Sequence, residues 1–167
     1  PVVTVVLMHD VPPFTCLRVL TVNTHKGFSV FNRRFVLKDL RDAVRNESAD
    51  LVFLQEVQGK HEANARRHVT WPEIGQHEFL THEGCHNVYG MNAVYQDGHH
   101  GNAVLSHFPI VAQENLDISA HAFERRGLLH CVLQLKRGLP ALHCINVHLG
   151  LFERGRRWQI HALTERI

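Results

Sequence analysis

No stretch of this sequence is apolar for long enough to cross a bilayer, which takes roughly 20 residues in a spanning helix. The opening residues, Pro1 to Leu7, are apolar, but they carry no basic flank and no small-residue cleavage site follows. They read as a strand or an irregular lead-in (1–15) to a domain spanning 16–167. An initiating Met is also missing, which suggests processing or an excerpt from a longer product. Internal repeats and low-complexity tracts are absent, so solenoid and disordered classes drop out. The four cysteines form no Cys-x-x-Cys pair. Three of them lie in apolar, strand-like runs, so buried free thiols in a reducing cytoplasm are expected, with a Cys131–Cys144 bridge left open. Charge of either sign is in little surplus: 18 Lys and Arg against 16 Asp and Glu give +2. Dedicated nucleic-acid binders often carry a basic stripe, so bulk charge neither supports nor excludes DNA.

What is present is enough for one domain: 167 residues, of which 44% are hydrophobic. Residues 16–24 (CLRVLTVNT) read as a strand, with Leu17, Val19, Thr21 and Asn23 on one face and Leu20 and Val22 on the other. Residues 33–47 read as a helix with Asn32 as its cap and a stripe of Val36, Leu37, Leu40, Ala43 and Val44. Residues 50–57 (DLVFLQEV) form the next strand, giving a βαβ opening. A second helix is expected over 60–69. From Glu73 to His100 the chain is polar, rich in histidine and irregular, with one short strand at 89–95. Strands at 101–106, 109–118, 128–135 and 140–149 follow, the last two joined by a Lys-Arg-Gly turn. A helix from Glu153 to Ile167 closes the sequence. The class is therefore mixed α/β (α+β), with sheets inside and helices outside.

Three of these strands end on polar residues. Asn23 ends the first strand. Glu56 ends the second, and strict alternation puts it on the face of Val52 and Leu54. Asn146 and His148 share a face at the end of the last strand. A single polar strand end usually marks only where the chain meets water. Three of them can converge at one rim of a sheet, where rigid scaffolds expose functional groups.

The blocks LRVLTVNTHKG, ADLVFLQEV, GNAVLS and CINVHLG, in that order, carry a resemblance. Over about residues 16–167 the chain resembles the endonuclease/exonuclease/phosphatase family, nearest to a bacterial branch with the NTHKGF opening. The resemblance implies the N-terminal part of a DNase I-like four-layer α/β sandwich. It also implies a Mg²⁺-dependent phosphoester hydrolase, with Mn²⁺ as the alternative ion, acting as a nuclease, phosphodiesterase or phosphatase. By position, Glu56 matches the family's metal-binding glutamate. Asn23 matches the asparagine that supports the metal, and His148 matches the residue that contacts the scissile phosphate. Asn102 and Arg126 fall in segments that reach the substrate phosphate, with a solvated loop charge as the other reading of Arg126. The substrate is left open among DNA, phospholipid head groups and small phosphoesters.

The sequence departs from the family at its later motifs. It contains neither a Gly-Asp-x-Asn block nor a Ser-Asp-His block, so the family's general base, its orienting aspartate and its water-positioning pair have no counterpart. Truncation is the expectation, with little or no activity from this chain alone. A homo-oligomer built through surfaces so exposed is expected too. Two rival classes remain. One is a non-catalytic remnant that binds a phosphate ligand. The other is a zinc protease, because His82-Glu83-Gly84-Cys85-His86 fits His-Glu-x-x-His. That motif needs a helix, and Gly84 sits in its middle. Incidental zinc capture by His82, Cys85 and His86 is the milder version of that reading.

Overall fold

The βαβ opening folds as expected in a computed structural model that describes residues 2–7, 16–29, 31, 33–138 and 140–166. Strand β2 (Val19–Asn23) runs parallel to β3 (Leu51–His61), and the helix α1 (Leu37–Asn46) connects them. Two short helices follow, α2 (Glu62–Arg67) and α3 (Gln76–Leu80). The hairpin β4 (His86–Tyr95) and β5 (Gly98–Ser106) completes a sheet of order β2-β3-β5-β4. Strands β6 (Ile110–Asp117), β7 (Gly127–Leu133) and β8 (Leu142–His148) form the second sheet. Its order is β1-β8-β7-β6, where β1 is Val2–Leu7. Helix α4 (Glu153–Thr164) comes last. The N-terminal residues thus supply a strand, antiparallel to β8 with Val2 opposite His148.

Alternation within the strands sorts the side chains into layers. Leu51, Phe53 and Val104 of the first sheet meet Leu129, Cys131, Leu133, Leu142 and Cys144 of the second. On the outer face of the first sheet, Val52, Leu54, Val57, Ala103 and Leu105 pack under Leu37 and Val44 of α1 and Leu80 of α3. On the outer face of the second, Leu128, Ile145 and Val147 pack under Leu163 of α4. The order is helix, sheet, sheet, helix, and each fully buried Leu, Val, Ile or Phe contributes roughly 1.5–3 kcal/mol. Cys131 and Cys144 face each other in register as free thiols, and burial pushes both up to about 12. No helix among the described residues is long and apolar enough to cross a membrane.

Three expectations change. Helix α1 begins at Leu37, because Phe28 and Phe35 first pair in a β-bridge; Ala43 stays exposed, and Asn32 lies outside the described residues. The His-rich stretch is a hairpin from His86 onward, with a register shift between Met91 and Ala93, where alternation is hidden by polar residues on both faces. The third change concerns β3. Leu54 pairs with Ala103 but Val57 pairs with Gly101, so β3 carries one extra residue there. The bulge returns Val57 to the face of Val52 and Leu54 and turns Glu56 out of it.

Toward the bulge, the apolar layer between the sheets gives way to buried amides. Gln55, Asn102 and Asn146 are 0%, 1% and 0% exposed. Asn146 Nδ2 donates to the carbonyls of Leu54 (2.9 Å) and Ala103 (2.8 Å) in the opposite sheet. Its Oδ1 accepts from Gln55 Nε2 at 2.8 Å. Asn102 Nδ2 donates to the Gly127 carbonyl at 3.0 Å and to that of Asn146 at 3.4 Å. A leucine at 146 would keep the branched shape and strand three buried polar partners. Asn146→Leu is expected to lower the unfolding free energy by about 3 kcal/mol. Equilibrium urea unfolding checks this, and a loss below about 1 kcal/mol would mean that the amide layer does not tie the sheets together.

Candidate active site

One or two residues beyond the amide layer, the strands reach a rim. Asn23 ends β2, Glu56 stands in the bulge of β3, His100 lies near the start of β5 and His148 ends β8. Glu56 has φ +54°, a left-handed conformation that costs a non-glycine residue roughly 1–3 kcal/mol. Local bonds hold it there. The buried Thr24 hydroxyl lies 3.0 Å from the Gln55 carbonyl and 2.9 Å from that of Glu56. The Thr24 backbone N–H donates to the Gln55 carbonyl at 2.9 Å. A short left-handed turn follows at His25 to Gly27, and its first N–H donates to Asn23 Oδ1 at 2.9 Å. With Oδ1 so occupied, Asn23 Nδ2 points to Glu56 Oε1, 3.0 Å away.

His148 Nδ1 stands 3.6 Å from the same Oε1, and His25 Nδ1 stands 3.7 Å from Oε2. Burial pushes the His148 pKa down to about 4, with Arg126 adding to it, so this imidazole is neutral at physiological pH. Burial also works against the Glu56 carboxylate, but the Asn23 hydrogen bond and the nearby His148, Lys26 and His25 outweigh it and leave its pKa lowered. Glu56 is therefore an ionised, oriented carboxylate with a quarter of its side chain open to solvent.

Glu56, Asn102, Arg126 and His148 line a single cleft, with Asn92, His100 and Arg125. The structure thus brings four of the five residues singled out from sequence into one cleft and bonds the fifth, Asn23, to Glu56. Their standing within it differs. Both amide donors of Asn102 are spent on backbone carbonyls between the sheets. Arg126 is not a solvated charge: its side chain is 15% exposed and paired with the buried Glu124 at 3.1 Å. Glu124 Oε1 also accepts the Leu151 N–H at 2.9 Å, tying the loop after β8 to the loop before β7. Sequence reasoning missed His100, Asn92 and Glu124. His100 had a signal, since His100-x-Asn102 repeats in reverse the Asn146-x-His148 pair of β8. The His82–His86 motif sits in a turn with Gly84 at φ +80°, and His86 already belongs to β4. The helix a zinc protease requires is not there.

The rim of this two-sheet α/β sandwich thus carries an ionised carboxylate, imidazoles and two arginines. Comparison carries the identification further. The sequence profile of the Endonuclease/Exonuclease/phosphatase family matches residues 20–166, and the chain belongs to that family. It is 50% identical over 149 residues to the "Uncharacterized protein YbhP" of Escherichia coli K12 and to that of Shigella flexneri, covering 89% of this chain. The chain spans 59% of the length of those relatives. Among solved structures, an endonuclease/exonuclease/phosphatase from Beutenbergia cavernae superposes with TM-score 0.67 at 19% identity. That match covers 90% of this chain and 44% of the other. A family protein from Leptotrichia buccalis superposes with TM-score 0.63 at 13% identity, over 91% of this chain and 63% of the other. These two likenesses speak to fold.

The buried histidines give the site a pH signature. Folded His100 and His148 take up protons only near pH 4, against the usual 6.5. Between those values the unfolded chain binds more protons, so stability rises with pH there. Stability is expected to be full above about pH 6.5 and to fall steadily toward pH 4. Urea midpoints across that range, for the wild type and the double variant His100→Gln/His148→Gln, check this. The double variant should lose stability less steeply on acidification, and equal slopes would refute the assignment.

Proposed function

We propose that this rim binds a phosphoester together with Mg²⁺, or Mn²⁺ in its place, as part of a hydrolase active site. The observation that most supports the reading is the convergence of Asn23 and His148 on one carboxylate oxygen of Glu56, at 3.0 and 3.6 Å, beside a mostly buried Arg126. The donor set suits such an ion. Glu56 is ionised and turned out of the sheet, and Mg²⁺ takes one or two carboxylates and keeps several waters. Among the described residues no three His, Cys, Asp or Glu side chains group together, as a fully protein-ligated metal would need. When bound, the ion supplies positive charge to the phosphoryl oxygens and acidifies a bound water.

The chain's own residues account for the remaining parts of this half-site. Asn23 fixes the direction of Glu56. Arg126, held by Glu124, offers its guanidinium to phosphoryl oxygens as charge develops on them. His148, neutral at physiological pH, donates a hydrogen bond without adding a second full charge. No residue of this sequence fills the part of the family's Asp-oriented base, so turnover by this chain alone is slow. Removing members of a catalytic unit costs orders of magnitude in rate. The second reading is a non-catalytic module that holds a phosphate ligand. DNA, lipid head groups and small phosphoesters all remain candidate substrates.

Calorimetric Mg²⁺ binding and Mg²⁺-dependent hydrolysis of bis(p-nitrophenyl) phosphate, for the wild type and Glu56→Gln, test the reading. Glu56→Gln should weaken Mg²⁺ binding by at least about tenfold, as expected for losing a charged ligand. Wild-type hydrolysis should be slow, and measurable phosphate affinity with no turnover would select the non-catalytic module. Unchanged Mg²⁺ binding in the variant would remove Glu56 from the metal role. Self-association is a further expectation, supported by the exposure of Phe123 (77%), Leu151 (72%) and Phe152 (54%). A single monomeric mass in light scattering would end it.

A further inference from the structure

The two strands that deliver histidines to the rim are built alike. On β8, buried Asn146 bridges the sheets and His148 follows two residues on, at the rim. On β5, buried Asn102 bridges the sheets and His100 precedes it by two residues, so it shares the face of Asn102 and comes to the same rim. Both imidazoles line the cleft that holds Glu56 and Arg126. They differ in their surroundings. His148 has Glu56 within 3.6 Å, whereas His100 touches the Tyr95 ring at 5.8 Å and its Nδ1 is buried without a hydrogen-bond partner. Arg126 Nε, in the same cleft, is also buried without a partner, and buried polar atoms left alone beside a cleft ask for a missing partner.

Resting on the phosphoester reading above, we propose that His100 is a further substrate-binding residue, an imidazole that donates to a phosphoryl oxygen in the cleft it shares with His148. Tyr95 sets the tilt of its ring. Burial, with Lys26 next, keeps His100 uncharged at neutral pH, down to about 4, so it adds directionality rather than another cation beside Arg126. Two uncharged donors and one guanidinium then surround the phosphate, which lets a negatively charged product leave.

The test is calorimetric titration of the chain with inorganic phosphate at fixed, saturating Mg²⁺, for wild type, His100→Leu, His100→Gln and His99→Gln. His99 is the adjacent histidine, bonded instead to the Tyr89 hydroxyl at 2.9 Å, and serves as the control. His100→Leu keeps the bulk without the donor, and His100→Gln keeps a side-chain N–H donor. The expected result is a loss of about tenfold or more in affinity for Leu, a partial rescue by Gln, and no change for His99→Gln. Thermal unfolding of each variant separates binding from folding. Wild-type affinity in His100→Leu would overturn the inference and leave the phosphoester site standing. Equal losses in Leu and Gln with equally lowered melting temperatures would reduce His100 to a structural role. Absence of phosphate binding in the wild type would overturn both readings.

Discussion

The contact on which the rest depends is the amide layer between the sheets, where Asn146 reaches across to the carbonyls of Leu54 and Ala103 and receives Gln55. Apolar layers slide with small loss, because dispersion is nondirectional. Hydrogen bonds between buried amides and opposite-sheet carbonyls do not slide, since a shift of an ångström or two would leave every partner unmade in a low-dielectric interior. The layer therefore fixes the register of one sheet against the other, at the level directly beneath the cleft. Rim side chains one or two positions further out inherit that register.

The same layer sustains the left-handed Glu56. A β-bulge with a strained residue survives only where its surroundings over-determine it. Here Thr24 gathers both bulge carbonyls and Gln55 is anchored on both sides, by Thr21 at 3.2 Å and by Asn146. Burying amides and neutral imidazoles costs free energy that an apolar core of the same shape would not spend. The return is a carboxylate whose direction is set by Asn23 and whose charge is secured before any cation arrives. Glu124 serves Arg126 in a parallel manner, by joining two loops that belong to different strands.

Much of the fold was legible in the sequence because local signals carry it. The helical stripe of α1, the alternation in β7 and β8 and the polar ends at Asn23 and His148 depend on neighbours a few residues apart, whereas β3 runs on past Glu56, its expected end, to His61. What escaped depends on distant ones. Nothing within reach of Gln55 along the chain says that it will be buried, because its partner Asn146 lies 91 residues away. The bulge exists only as a mismatch between β3 and β5, so strict alternation placed Glu56 on the wrong face. The hairpin of β4 and β5 hid behind histidines and asparagines, which are polar by composition and half-buried in place. Arg126 left two readings open in sequence, and only the position of Glu124 decides between them.

Sheet continuity along the chain has a consequence for how the protein is made. The first sheet is complete in sequence by Ser106, whereas β6 to β8 of the second span Ile110 to His148. A growing chain can therefore close the sheet bearing Asn23, Glu56 and His100 while Asn146 is still unsynthesised. Until that residue arrives, Gln55 lacks its Asn146 partner, and nothing holds the two carbonyls that will receive the Asn146 amide. These rim residues are thus assembled in the order of translation, and His148 arrives together with the residue that locks the sheets.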